Sequence, residues 1–194
     1  TAAIISLCGK IIITENDRFC VKIQTENLPV ARKYFTLLRK AFNIKAEVAI
    51  RKNREVFSCS VVVRKDREAR RLLKETCLLD SDGNIHECMS LIHNQLLRQN
   101  CCRRAFLRGA FLAAGSVSDP EKSYHFEMVC SSQKKAEQIQ ELLVQYQIDA
   151  KTILRKRHYV VYVKEGSQIV ELLGLMGAHV SLMQFENVRI VKEM

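Results

Sequence analysis

The chain has 194 residues, 47% of them hydrophobic and only two of them proline, a composition that buries a core and excludes a disordered segment. Its formal net charge of +10 is large for this size and directs attention to polyanionic partners, nucleic acid first. No apolar run approaches the ~18 residues of a membrane span, and the start lacks the pattern of a secretory leader. A cytoplasmic chain with no membrane contact is expected.

The predicted elements begin with a helix over Ala2 to Leu7, stopped by Gly9. Ile11 to Ile13 form a short strand, Asn16-Asp17 a turn, and Phe19, Val21 and Ile23 alternate along a second strand. Asn27 and Pro29 start a helix whose buried face carries Val30, Tyr34, Leu37, Leu38 and Phe42. Strands over Ala46–Arg51 and Val56–Val63 meet at a turn near Asn53. Asp66 then caps a basic helix with Ala69, Leu72 and Leu73 inward. A polar break at Asp80-Ser81-Asp82-Gly83-Asn84 precedes a linking helix bearing Cys88, Leu91, Ile92 and Leu96.

The order then repeats. A helix over Phe106–Ala114 ends at Gly115, and strands through Val117 and Tyr124–Cys130 flank an Asp119-Pro120 turn. Ser132 caps a helix with Ile139, Leu142, Leu143 and Tyr146. Strands over Ala150–Arg155 and Tyr159–Val163 follow, and the last helix of the repeat carries Ile169, Leu172 and Leu173. Ala178 to Met194 reads as a further helix or extended tail. The run Ala2 to Gly9 is echoed by Arg108 to Gly115, and Ala46 to Lys52 aligns with Ala150 to Lys156. The predicted fold class is α+β: tandem pseudo-symmetric αββαββα repeats with two antiparallel sheets. The repeats occupy residues 1–79 and 105–177, a linker with a helix fills 80–104, and a C-terminal helix fills 178–194.

Charge divides unevenly over these parts. Residues 1–79 carry 17 basic against 8 acidic side chains, 80–104 three of each, and 105–194 carry 11 against 10. A basic first repeat beside a neutral second one fits an electrostatic footprint, with a solvated basic face as the alternative. The eight cysteines form no Cys-x-x-Cys pair and read as reduced thiols. Cys8, Cys20, Cys59 and Cys130 sit in apolar runs as small hydrophobes. His86, Cys88, His93, Cys101 and Cys102 follow no common zinc spacing, so neither metal nor cofactor is expected. There is no catalytic triad, nucleophile elbow or glycine-rich phosphate loop.

The unit order, with a small-residue helix opening each copy, resembles the LAGLIDADG homing endonucleases. Leu107 to Gly115 matches their motif at the leucine, the first glycine, the alanine before the acidic residue and the final glycine. The resemblance implies two motif helices packed through small residues such as Ala3, Gly109 and Ala113, between two DNA-gripping sheets. It also implies an acidic metal ligand before each final glycine. Cys8 and Ala114 stand there instead, and neither supplies the hard oxygen that Mg²⁺ requires. Asp119 lies four residues past Gly115, without a counterpart in the first repeat. The run Cys101 to Val117, with Pro120 and Tyr124-His125-Phe126-Glu127, is similar to the WhiA family. That resemblance implies a regulator of sporulation and cell division in Gram-positive bacteria, with a LAGLIDADG-like part that has lost its catalytic acids. It further implies a helix-turn-helix domain beyond residue 194.

Strands equivalent to those ending in Arg51-Lys52 and Arg155-Lys156 lie along the major groove in DNA-bound relatives, as the resemblance implies. The candidate DNA contacts are therefore Arg51, Lys52 and Arg54, with Arg155, Lys156 and Arg157 in the second repeat. Arg64, Lys65, Arg67, Arg70 and Arg71 extend the first patch, with Arg67, Arg70 and Arg71 on one helix face. Solvated surface charge is the alternative for each. Arg103, Arg104 and Arg108 flank the second motif helix, and Arg108 is expected at a boundary between domains. His158 joins the basic strand end, and His125 reads as structural. The expectation is a monomeric, non-catalytic module with weak electrostatic DNA binding. The alternative is a protein-interaction module whose former DNA saddle holds a regulatory protein partner.

Overall fold

Phe19, Val21 and Ile23 alternate with Cys20, Lys22 and Gln24, and this period of two settles which side of the first sheet is buried. The computed structural model describes residues 1–53, 56–80, 82–86 and 95–194. It divides into two compact units, Thr1–Met89 and Ser90–Met194. The linking helix expected over Cys88, Leu91 and Ile92 lies outside the described residues. Leu96 falls in a 3₁₀ turn, Gln95–Leu97.

The first unit runs α1 (Ala2–Cys8), β1 (Gly9–Ile13), β2 (Phe19–Thr25), α2 (Leu28–Phe42), β3 (Glu47–Asn53), β4 (Val56–Val63) and α3 (Asp66–Glu75). Its four strands pair antiparallel in the order β1-β2-β4-β3. Phe19, Val21 and Ile23 from β2 and Cys59, Val61 and Val63 from β4 form one buried face. Val30, Ala31, Tyr34 and Leu38 of α2 and Ala69, Leu72 and Leu73 of α3 cover it. Each large apolar side chain so buried contributes about 1.5–3 kcal/mol. Asn27 caps α2 as expected, its side chain accepting from the Val30 backbone N–H at 3.3 Å.

Two local readings differ. Gly9 does not stop α1 in the left-handed region. It is extended, at φ −82° and ψ 152°, and leads straight into β1. Glycine is required there by close approach, since a Cβ would lie 2.4 Å from the Ile5 carbonyl oxygen. Asp66 is not the cap of α3 but its first residue; Lys65 holds the cap position. The Asp66 carboxylate instead accepts from the Phe19 backbone N–H at 2.7 Å and from Arg70 Nε at 2.9 Å, tying α3 to the start of β2.

The second unit repeats the plan: α4 (Asn100–Ala114), β5 (Gly115–Val117), β6 (Phe126–Cys130), α5 (Gln133–Val144), β7 (Lys151–Arg155), β8 (His158–Val163) and α6 (Gly166–Met176). The strand order is again the same, β5-β6-β8-β7. The motif helix begins at Asn100, six residues before the expected Phe106. Ser132 takes the cap position of α5, but its side chain makes no cap hydrogen bond. A seventh helix, α7 (His179–Glu193), packs on α6 and buries Phe185, whose ring lies 5.3 Å from that of Tyr124. Among the described residues no helix is long and apolar enough to cross a membrane.

The Asp66 tie has a pH signature. The Phe19 N–H, and after it Arg70, hold the Asp66 carboxyl below the usual carboxylate range, against the opposing pull of burial. A carboxyl depressed in the folded state stabilises the fold above its unfolded value, about 4, and loses that contribution as pH falls through the folded value. Asp66→Asn therefore lowers the melting temperature at neutral pH, and the deficit shrinks below about pH 4. Thermal unfolding across that range checks this; a deficit equally large at about pH 3 refutes it.

Candidate nucleic-acid interface

The side chains that alternate away from the core define the outward face of the first sheet. It presents Lys10 on β1, Lys22 and Gln24 on β2, Ser58 and Ser60 on β4, and Ala49 and Arg51 on β3, by the register of the ladder. Lys10 lies directly opposite Lys22, Gln24 opposite Ser60, and Arg51 opposite Ser58. Gln24 Nε2 donates to Ser58 Oγ at 3.1 Å. Among the described residues Lys10, Lys22 and Arg51 form no ion pair.

The neighbouring pair Arg51-Lys52 is split by the strand period. Lys52 points to the other side, where its ammonium sits 5.4 Å from the centre of the exposed Phe57 ring. Arg54 lies outside the described residues. Arg64, at the end of β4, is ion-paired with Glu47 at 2.6 Å. Lys65 pairs with Glu68 at 3.6 Å.

The basic helix face does not join this surface. α3 packs on the covered side of the sheet, so Arg67 and Arg71 lie across the sheet from Arg51. Arg70 is half-buried and structural: it pairs with Asp66, approaches Asp17 at 3.8 Å, donates to the Asp17 carbonyl, and stacks 4.2 Å from the Phe19 ring. Arg71 donates to the Phe42 carbonyl and pairs with Glu75 at 3.6 Å. Arg67 is exposed and, among the described residues, in no ion pair.

In the second sheet the same positions carry a different charge pattern. Gly9 pairs with Ile23 as Gly115 pairs with Met128, which places Ser116 where Lys10 stands and Glu127 where Lys22 stands. Arg155 opposite His158 corresponds to Arg51 opposite Ser58. Arg155 reaches Glu127 at 3.3 Å, and His125 Nε2 lies 3.2 Å from the same carboxylate. Burial alone would raise the Glu127 carboxyl, but the His125 hydrogen bond and Arg155 carry it below the usual range. The outward face of this sheet therefore neutralises its own arginine. His125 is structural, as expected.

Lys156 and Arg157 form the two-residue turn between β7 and β8. Both have positive φ, 48° and 68°, the backbone of a type I′ turn that favours Asn-Gly. Two exposed cations thus occupy the hairpin tip at a backbone cost of about 1–2 kcal/mol each. His158 Nδ1 lies 3.1 Å from the Lys156 carbonyl oxygen.

Two arginines of the second motif helix serve the fold. Arg104 donates to the Leu175 carbonyl at 2.9 Å, and Arg108 to the Met176 carbonyl at 2.6 Å. Both satisfy the open C-terminus of α6, so Arg108 has a role inside the second unit. Before Gly9 and Gly115 stand Cys8, whose thiol donates to the Ile4 carbonyl at 3.2 Å, and Ala114. Asp119 is engaged in its own turn, accepting from the Glu121 N–H at 3.1 Å. No cluster of three His, Cys, Asp or Glu suited to a metal occurs among the described residues. Lys10, Lys22, Gln24 and Ser58 escaped the sequence reading, which sought runs of charge. The available signal was parity: Lys22 and Gln24 alternate with Val21 and Ile23.

Two solved structures share this architecture. Full-length DUF199/WhiA from Thermatoga maritima matches with a TM-score of 0.73 at 16% identity, over 99% of this chain and 58% of that one. The homing endonuclease I-DmoI, in complex with DNA and Mn, matches with a TM-score of 0.58 at 13% identity, over 90% and 94%. The fold is the LAGLIDADG fold, in a tandem arrangement. A protein of Lachnoclostridium phytofermentans, described as a probable cell division protein WhiA, is 50% identical over 196 residues. That match covers all of this chain, which spans 62% of the relative's length. Residues 1–79 match the WhiA N-terminal LAGLIDADG-like domain and 103–194 the WhiA LAGLIDADG-like domain. The chain belongs to the WhiA family.

The hairpin tip offers a direct test of stored backbone cost. The double change Lys156→Asn and Arg157→Gly raises stability by about 1–2 kcal/mol in urea unfolding, by restoring the residues that a type I′ turn prefers. A loss of stability would show that the two cations hold the tip by contacts outweighing the backbone cost.

Proposed function

We propose that this chain is the non-catalytic LAGLIDADG-like part of a transcriptional regulator of cell division and sporulation, acting in the cytoplasm at the nucleoid. In this role it binds DNA weakly, as a monomer and by charge, through the outward face of its first sheet. The observation that carries the reading is the set Lys10, Lys22 and Arg51, exposed or half-buried on one sheet face and in no ion pair among the described residues. Support also comes from the name given to the relative, a probable cell division protein, and from the fold of I-DmoI, solved with DNA. Base-specific reading falls to the helix-turn-helix that the family resemblance implies.

A second reading assigns a protein partner to the outward face of the second sheet. Glu127 and Arg155 cancel there, and Ile153 is 44% exposed beside them. With its arginine paired, Lys151 its remaining exposed cation by the ladder register, and an apolar centre, this face suits protein contact better than phosphate.

The two readings separate by salt. Neutralising three or four phosphates gives a slope of log K against log salt of about −3 to −4. Arg51→Gln reduces its magnitude by about 1, whereas Arg155→Gln leaves it unchanged because that charge is already paired. Fluorescence anisotropy with duplex DNA at graded salt measures both. Absence of binding at low salt overturns the DNA reading.

Cleavage is not part of the proposed function. A thiol bonded to its own helix and an alanine methyl hold no Mg²⁺. Duplex DNA incubated with Mg²⁺ or Mn²⁺ stays intact. Metal-dependent cutting abolished by Asp119→Asn would place a catalytic acid at that turn.

A further inference from the structure

Lys10 and Lys22 are directly opposed across the β1–β2 ladder and share its outward side. Directly opposed Cβ atoms stand about 5 Å apart, and like charges at such positions weaken a sheet. Nothing in the row relieves them: the next residues are Val62 and Glu47, and Glu47 is taken by Arg64. In the second unit the same two positions hold Ser116 and Glu127, a pair with no such conflict.

The two lysines line a depression of about 620 Å³, with Gln24, Asn27, Ser58 and Cys8 around it. The single carboxylate in its wall, Glu26, is exposed and forms no ion pair with either lysine. Amide and hydroxyl groups beside two ammonium groups suit a phosphate's oxygens. The volume accommodates a mononucleotide-sized ligand. Cys8, whose thiol donates to the Ile4 carbonyl, stands where the family resemblance would place a carboxylate, so Glu26 is the only acid set against the two lysines in the wall.

We infer that this depression binds a phosphate monoester dianion, seated between the ammonium groups of Lys10 and Lys22. The charge count favours the monoester over a backbone phosphodiester. A phosphodiester brings one negative charge to two lysines, whereas a monoester brings about 1.5–2 near neutral pH. The ligand also accounts for the opposed lysines, because the anion converts a repulsive cross-strand pair into a bridged one. This inference shares Lys10 and Lys22 with the DNA reading but requires neither Arg51 nor a duplex.

Calorimetric titration and thermal unfolding test it, with inorganic phosphate, adenosine monophosphate and adenosine at constant ionic strength set by chloride. Phosphate and adenosine monophosphate bind saturably and raise the melting temperature; adenosine does neither. Lys22→Gln and Lys10→Gln each weaken binding about tenfold or more, the loss of one charge-assisted contact. Both variants unfold, without ligand, at or above the wild-type temperature, because each removes the repulsion. Arg51→Gln binds phosphate as the wild type does. A phosphate-induced shift that persists in Lys22→Gln is a bulk salt effect and overturns the inference, as does absence of binding at millimolar phosphate. Binding of duplex DNA that Lys22→Gln abolishes, with no binding of either phosphate compound, overturns it too and leaves the DNA reading standing. Phosphate binding with no DNA binding at low salt removes only the DNA reading.

Discussion

The side-chain period of two along the central strands β2 and β4 is the constraint on which the rest of the first unit depends. Burying Phe19, Val21 and Ile23 on one side forces Lys22 and Gln24 to the other, and the ladder carries that choice to Lys10 and Arg51. A slip of one residue would bury the lysine and expose the apolar set. The cost of burying an unpaired ammonium makes that slip prohibitive. The core therefore fixes the functional face, although no core residue belongs to it.

The two units put one architecture to different electrostatic use. At matching sheet positions the first has lysine and the second glutamate, Lys22 against Glu127, and the arginine four rows along is in no ion pair in one and paired in the other. The pairing contributes little stability at a half-exposed site. Its larger consequence is to remove Arg155 from the charge available to a partner. Net charge by repeat is a poor guide to available charge, because Arg64, Arg70 and Arg71 of the first unit are also engaged internally. What distinguishes the first face is three cations left unneutralised on one side of one sheet.

The arginines that are engaged have a shared logic. Arg104 and Arg108 close the C-terminus of α6, and Arg71 reaches the carbonyl of Phe42 at the end of α2. In each case a guanidinium meets backbone carbonyls that a helix end leaves open. Arg70 does comparable work between α3 and the β1–β2 hairpin. A basic composition in this family fold is therefore partly a means of holding helix ends.

By itself the sequence determined the repeat, the order of elements in each unit and most residues of the two cores, though Leu37, Phe42 and Tyr146, expected inward, are only half-buried. These rest on local periodicity and on recurrence of the same pattern, both carried by the chain as written: Val21 and Ile23 alternate, and Asn27 with Pro29 starts a helix wherever they are read. It also determined that Cys8 and Ala114 occupy the positions before the two glycines. Tertiary structure alone decided which cations are available. Arg51 and Lys52 are adjacent in sequence yet face opposite sides, and Lys10 and Lys22, twelve residues apart, are directly opposed. Arg155 reads as free charge until Glu127 is brought beside it, and Arg70 meets the Asp17 carbonyl and the Phe19 ring in the same way. The physical reason is that a charge acts through its neighbours in space, and strand pairing sets those neighbours across gaps that no local pattern records.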